Sequence, residues 1–201
     1  MTRAPQKRRL ETRARLLEAA AAIVKEQGYS GLRAEDVAAR AGAAKGTLFA
    51  HFGDKDGLLA VLIGAEVTQL LKAMEAAGVP ESIDALIRRL APHLDFVAQD
   101  RVIFDLLLRY SGTTAAEADA VVAQSFLGQV TLLTVWLEAM QAAGTVRRDQ
   151  PAVLLAEGVQ GFLNHVLALS FCLAHEDTPA PAAVLAPYLE AWLAPPAGDT
   201  R

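Results

Sequence analysis

Between two glycines near the N-terminus lies the stretch GAAKGTLFAHFG, residues 42 to 53, in which Lys45, Thr47 and His51 are interleaved with Leu48, Phe49 and Phe52. A lysine ammonium donates to the O6 and N7 acceptors of guanine in the major groove, and a threonine meets a thymine methyl or a phosphate. The His51 imidazole reads either as a half-buried side chain beside the phenylalanines or as a donor to a phosphate oxygen, the commonest kind of contact in protein–DNA interfaces. Such a set can recognise a partner by hydrogen bonding. No nucleophile elbow, metal-ligand set or phosphate-cradling loop accompanies it, so neither an enzyme nor a bound metal or cofactor is expected.

Short helices must position these residues. Leu16, Leu17, Ala20, Ile23 and Val24 recur at helical spacing over Thr12 to Gln27, and Gly28 is the expected stop. After the turn YSGLR, Glu35 to Ala41 forms a second helix with Val37, Ala38 and Ala41 on one face. Gly42 closes it, and Lys45 to His51 makes about two further turns with Leu48 and Phe52 facing inward at i and i+4. Helix, tight turn, helix, with small residues where the helices cross, is what placing one short helix in a major groove requires. A plain pair of packed helices gives the same local pattern. A fourth helix runs from Lys55 to about Ala77, with Asp54 as its N-cap.

Charge is divided unevenly along the chain of 201 residues, whose formal net charge is -4. Residues 1 to 57 carry 11 Lys/Arg against 7 Asp/Glu, whereas residues 58 to 201 carry 8 against 16. The N-terminal part therefore attracts a polyanion that the remainder repels. Arg3, Lys7, Arg8, Arg9, Arg13 and Arg15, opposed only by Glu11, read as a basic arm that contacts phosphate or as a solvated tail.

The segment LETRARLLEAAAAIVKEQGYSGLRAEDVAARAGAAKGTLFAHFGDKDGLLAVL closely resembles the DNA-binding domain of the TetR family of bacterial transcriptional regulators. The resemblance rests on Gln27-Gly28-Tyr29, Asp36-Val37-Ala38 to Ala41-Gly42, Gly46-Thr47-Leu48-Phe49, His51-Phe52 and Lys55-Asp56-Gly57-Leu58-Leu59. It covers about a quarter of the chain. It implies an all-α fold of about nine helices, with a helix-turn-helix domain over residues 1 to 53 and a ligand-binding and dimerisation domain over 54 to 201. It further implies that Lys45, Gly46 and Thr47 meet base edges and nearby phosphates, while Phe49, His51 and Lys55 contact the backbone. Three positions depart from the family pattern: Phe49 replaces a common tyrosine, Ala44 a polar residue, and Arg33-Ala34 a threonine. The missing caps are each worth ~0.5 to 2 kcal/mol at a helix end. Arg33 is expected to compensate by contacting phosphate itself.

Beyond Gly78-Val79-Pro80 helical patterns continue over Ser82 to Ala98, interrupted at Pro92, then Arg101 to Tyr110, Ala115 to Ala143, Pro151 to His175 and Ala182 to Leu193. The stripes of the last two, with Gly158 and Gly161 allowing close approach, fit self-association, and the resemblance implies a homodimer formed through helices at about 151–175 and 182–193. A two-fold dimer reads two half-sites of a palindromic double-stranded DNA operator. The resemblance also implies a small-molecule effector inside the bundle. Residues interrupting its apolar faces are the candidate lining: His93, Phe96, Phe104, Tyr110, Phe126, Gln129, Trp136, Met140, Asn164 and His165. Each of them singly also reads as ordinary core, and together they describe a mostly apolar ligand with a few polar handles.

Cys172 is the single cysteine and reads as a buried small apolar residue rather than a redox switch, and His175-Glu176-Asp177 as a charged helix end rather than a metal site. With no signal-type segment, and apolar runs far shorter than a spanning helix, the expected setting is the cytoplasm. The expected function is a ligand-responsive DNA-binding regulator, a repressor released by its effector. The alternative is a small-molecule carrier or a partner-protein adaptor whose DNA-reading helix has weakened.

Overall fold

The computed structural model describes residues 3–110, 117–172 and 179–196, with side chains over 6–109, 127–172 and 179–196. Among the described residues every regular element is helical: α1 (Arg3–Gln27), α2 (Ala34–Arg40), α3 (Lys45–Phe52), α4 (Lys55–Ala76), α5 (Ile83–Ala98), α6 (Arg101–Tyr110), α7 (Glu117–Ala143), α8 (Ala152–Ser170) and α9 (Pro181–Leu193). The chain divides into two compact units, residues 1–66 with 105–123, and residues 67–104 with 124–201.

In the first unit α1 starts at Arg3, nine residues before the expected Thr12. Pro5 falls in the first turn, where a missing N–H breaks no intrahelical bond. From Gln6 to Arg15 there is no glycine or further proline, and Gln, Lys, Arg, Leu and Glu are good helix formers. Lys7 and Glu11, 3.9 Å apart, add a pair across one turn. The basic stretch is thus the N-terminal part of a helix. Gly28, at φ 77°, ends α1 as expected.

Helices α1, α2 and α3 pack on one another through Leu16, Ala20, Ile23, Val37, Ala38, Leu48 and Phe52, all buried. Full burial of a leucine such as Leu48 is worth roughly 1.5–3 kcal/mol. Gly42 adopts φ 61° in the α2–α3 turn, a left-handed conformation that a side chain would strain. Asp54 caps α4 as expected, its Oδ1 accepting the Gly57 N–H at 2.7 Å. A Cβ on Gly57 would run into the Phe52 carbonyl oxygen, so the α3–α4 junction admits no side chain there.

In the second unit Ser82 caps α5 by accepting from the Ala85 N–H at 3.1 Å. The expected interruption at Pro92 does not occur. Pro92 is exposed, so water can reach the Arg88 carbonyl that loses its partner, and the helix runs on to Ala98. Helices α5, α8 and α9 pack together around Leu86, Leu90, Leu155, Val159, Leu185 and Leu189. Helix α8 ends at Ser170, before the expected His175, with the Phe171 N–H bonding back to Ala168, and Cys172, just beyond this end, is exposed rather than buried as expected. By length and composition α4 and α8 are apolar enough to cross a membrane, and 44% of each apolar window is buried inside the protein.

Candidate nucleic-acid interface

Helix α3 has two unlike faces. Leu48 and Phe52 are buried against α1 and α2, while Lys45, Gly46 and Phe49 are exposed and Thr47 and His51 half-buried. Arg33 is exposed and Lys55 half-buried. Neither Arg33 nor Ala44 makes a side-chain cap to the helix that follows it, as the departures from the family pattern imply. A Cβ on Gly46 would meet nothing within 4 Å, so the protein's own packing does not require a glycine there.

Lys45 is not a free cation. Its Nζ donates to Glu35 Oε1 across the α2–α3 turn, and it lies 5.6 Å from the centre of the Phe49 ring. The hydrogen bond from Lys45 holds the Glu35 carboxyl below its ordinary pKa, and the charges of Lys45 and Arg33 act in the same direction. Glu35 is a residue that sequence reading passed over. Helical periodicity marks it as exposed, but nothing local shows that it faces Lys45 ten residues later.

At the other end of α3 the His51 imidazole is held below its ordinary pKa, first by burial and then by the charges of Arg9 and Arg13. Its Nδ1 is buried without a hydrogen-bond partner among the described residues. Arg13 itself stacks its guanidinium over Phe52 at 5.0 Å. The helical form of the basic segment therefore brings Arg9 and Arg13 to the C-terminal end of α3. Two ion pairs brace this unit. Arg40 donates two 2.9 Å hydrogen bonds to Glu26 of α1. Arg109 of α6 bonds Asp56 at 2.6 Å, offsetting the acid beside Lys55.

The ten candidate ligand-binding residues do not share one environment. His93, Phe104, Gln129, Trp136 and Met140 are buried, with Phe104 packed on Phe171 at 5.7 Å between ring centres. Burial alone pushes His93 down to about 4, so it is neutral near pH 7. Its Nδ1, the Gln129 Nε2 and the Gln160 Oε1 are buried without hydrogen-bond partners among the described residues. Gln160, another residue that sequence reading missed, donates to Asn164 at 3.4 Å, one turn further along α8. Its signal was a polar residue a turn before Asn164 in an apolar helix. Phe96 and Asn164 are half-buried, whereas His165 is exposed and meets Tyr188, with 3.4 Å between its Nε2 and the phenol oxygen. The Tyr110 and Phe126 side chains lie outside the described residues, as do His175, Glu176 and Asp177.

An apolar groove of about 590 Å³ on α8 and α9 is lined by Phe162, Val184, Pro187, Tyr188, Ala191 and Trp192, and by none of the ten. Gly158 makes room for Trp192, whose indole lies within 2.5 Å of where a Cβ would stand and donates to the Leu155 carbonyl at 3.1 Å. Val153 and Leu154, nearly half exposed, continue the apolar surface of α8.

Comparison with known proteins adds the following. The family model described as bacterial regulatory proteins, tetR family, matches residues 16–62. The HTH-type transcriptional regulator CymR of Pseudomonas putida is 26% identical over 160 residues, 76% of either chain. Among solved structures, the transcriptional regulator FadR of Bacillus subtilis, in complex with stearoyl-CoA, superposes with a TM-score of 0.63 at 18% identity, over 90% of this chain and 97% of that one. Thermus thermophilus FadR, in complex with lauroyl-CoA, gives 0.64 at 16% identity, over 90% and 92%.

Proposed function

The chain belongs to the TetR family of bacterial transcriptional regulators, and from that premise we propose that it is a ligand-responsive repressor, acting in the cytoplasm as a homodimer on a palindromic DNA operator. The observation that carries the reading is α3 itself: an inner face buried through Leu48 and Phe52, and an outer face presenting Lys45, Gly46 and Thr47. Lys45 donates to guanine, Thr47 meets a thymine methyl or phosphate, and Gly46 lets the DNA approach where nothing in the protein fills the space. Arg33, Phe49, His51 and Lys55 flank the groove and hold the backbone. The domain boundary that suits this division of labour is Gly53, with α4 as the connecting helix.

The unpartnered apolar surface of α8 and α9, with its groove at Trp192, supports dimerisation through these helices. The effector is a mostly apolar molecule held in the bundle. His93 Nδ1, Gln129 Nε2 and Gln160 Oε1, buried and unpartnered among the described residues, support a few polar handles for it. The acyl-CoA complexes of the two FadR structures support the same chemical class. Effector binding then favours a conformation in which the two recognition helices no longer match both half-sites.

The test is DNA-binding anisotropy on the region upstream of the protein's own gene. The wild type binds with a steep salt dependence, and Lys45→Ala loses ~1–3 kcal/mol of discrimination at one base position in each half-site. Binding indifferent to salt, or absent from that region and from other genomic fragments, overturns the reading.

A further inference from the structure

We propose that Glu35 is a specificity-determining residue: it occupies the Lys45 ammonium in the DNA-free protein and withholds it from phosphates, so that the lysine is released only to a base edge that outbids the carboxylate. The inference rests on the regulator reading above.

Three observations carry it. Glu35 and Lys45 are bonded across the α2–α3 turn, and both side chains are about half exposed, so the pair is open to an approaching ligand. Phe49, one turn along α3, lies against the same ammonium and narrows its positions. The carboxyl responds to the partnership, since its pKa is lowered with Lys45 as the leading cause.

The chemistry follows from competition. A phosphate offers Lys45 a charged acceptor at every nucleotide, and a free lysine at this position would strengthen binding to all sequences alike. The Glu35 carboxylate is an equally charged acceptor already in place, and it repels an approaching phosphate. A guanine edge offers two acceptors in one plane, O6 and N7, and carries no charge for Glu35 to repel. The pair thus makes Lys45 a poorer phosphate contact than a free lysine, because Glu35 repels the phosphate, and leaves the contact to an uncharged guanine edge comparatively favoured. Glu35 acts by subtracting affinity for the wrong partner, a recognised route to specificity.

The experiment compares wild type, Glu35→Gln and Asp36→Asn on two probes, a short duplex of mixed sequence and the duplex that the wild type enriches from a randomised pool. On the mixed duplex Glu35→Gln frees Lys45 for one more phosphate. Its plot of log affinity against log salt steepens by about 0.9, so affinity falls roughly threefold further between about 50 and about 200 mM salt. On the enriched duplex, where Lys45 has already left Glu35, that slope is unchanged, and the ratio between the probes narrows. Asp36→Asn removes the same charge one residue away, from a side chain outside this pair, and leaves the mixed-duplex slope as in the wild type.

An unchanged slope for Glu35→Gln with a selective wild type overturns the role of Glu35 alone. So does an equal change for Asp36→Asn, which makes the effect one of net charge. A wild type that enriches no sequence overturns this inference together with the regulator reading. A second measurement needs no Glu35 variant: by NMR the Glu35 carboxyl titrates below its ordinary value in the wild type and rises towards it in Lys45→Ala, where the backbone hydrogen bond at Glu35 and the Arg33 charge still act. Identical titrations in the two proteins overturn the proposal.

Discussion

The exposed ion pairs of the first unit and the interior of the second treat polar side chains differently. On the surface, Lys45 is matched by Glu35, Arg40 by Glu26 and Arg109 by Asp56, all in contact with water. In the interior, His93, Gln129 and Gln160 are buried with atoms that find no hydrogen-bond partner among the described residues. Exposed pairs are weak and exchange readily for a better partner, whereas a buried unpartnered donor or acceptor carries a penalty of about 1–3 kcal/mol that any complementary group would relieve. In one region the charged partners are held at the surface. The other favours whatever brings polar atoms inside.

The comparison breaks first at the inner face of α3. Leu48→Ala empties a fully buried site at the junction of α1, α2 and α3 and is expected to cost about 2–5 kcal/mol, read as a drop in the urea midpoint. Phe49→Ala, one residue further along with about a third of its surface exposed, is expected to cost less, about 1 kcal/mol. If the two variants lose equal stability, the division of α3 into a seating face and a reading face is wrong.

The interior yields the next effect, through pH. The folded-state pKa of His93 is lowered from its ordinary 6.5 to about 4, so between these values the unfolded chain binds a proton that the folded chain refuses. Its stability contribution is therefore complete above about pH 6.5 and is lost as pH falls towards about 4, amounting to about 2 kcal/mol by about pH 5. His93→Gln, which does not titrate, is expected to lack that share of the decline. Denaturant midpoints of both proteins at about pH 7 and about pH 5 measure it, and parallel declines would mean that His93 is hydrated or already paired.

Packing on the α8–α9 face gives a comparable or smaller effect. Gly158→Ala places a methyl against the Trp192 indole and is expected to cost about 1–3 kcal/mol. The indole leaves the Leu155 carbonyl, so Trp192 fluorescence shifts to longer wavelength, and dimerisation weakens if this face is the interface. A dimer of unchanged affinity would move the self-association surface elsewhere.

How far these features were legible in the sequence depends on how local their causes are. The helix ends at Gly28 and Gly42, the Asp54 cap and the inward placement of Leu48 and Phe52 follow from neighbours within a turn, and periodicity and glycine positions reveal them. The pairing of Lys45 with Glu35 depends on the angle between two helices, to which a hydrophobic pattern is blind. In the bundle, aromatic residues at helical spacing look alike whether they fill a core or line a ligand site. Hence one candidate set holds both Trp136 and Met140, which are buried, and His165, which lies exposed beside Tyr188. Pro92 misled for another reason: a proline on a solvated face removes one hydrogen bond without ending its helix.

The smallest effect expected is also the sharpest test of the basic N-terminal segment, which can be read as a loose arm or as part of α1. In the helical form Arg9 is held near His51, and its positive charge disfavours the imidazolium. Arg9→Ala removes that repulsion, so the His51 pKa rises towards its ordinary value while remaining below it, because burial and Arg13 still act. The direction is fixed by charge: losing a neighbouring cation makes protonation easier. Global stability is expected to change by about 0.5 kcal/mol or less, as for other surface substitutions. An NMR titration of His51 in the two proteins measures the shift. A free arm would leave Arg9 on average far from the ring and screened by salt beyond roughly 8–10 Å, and His51 would then titrate identically with or without it.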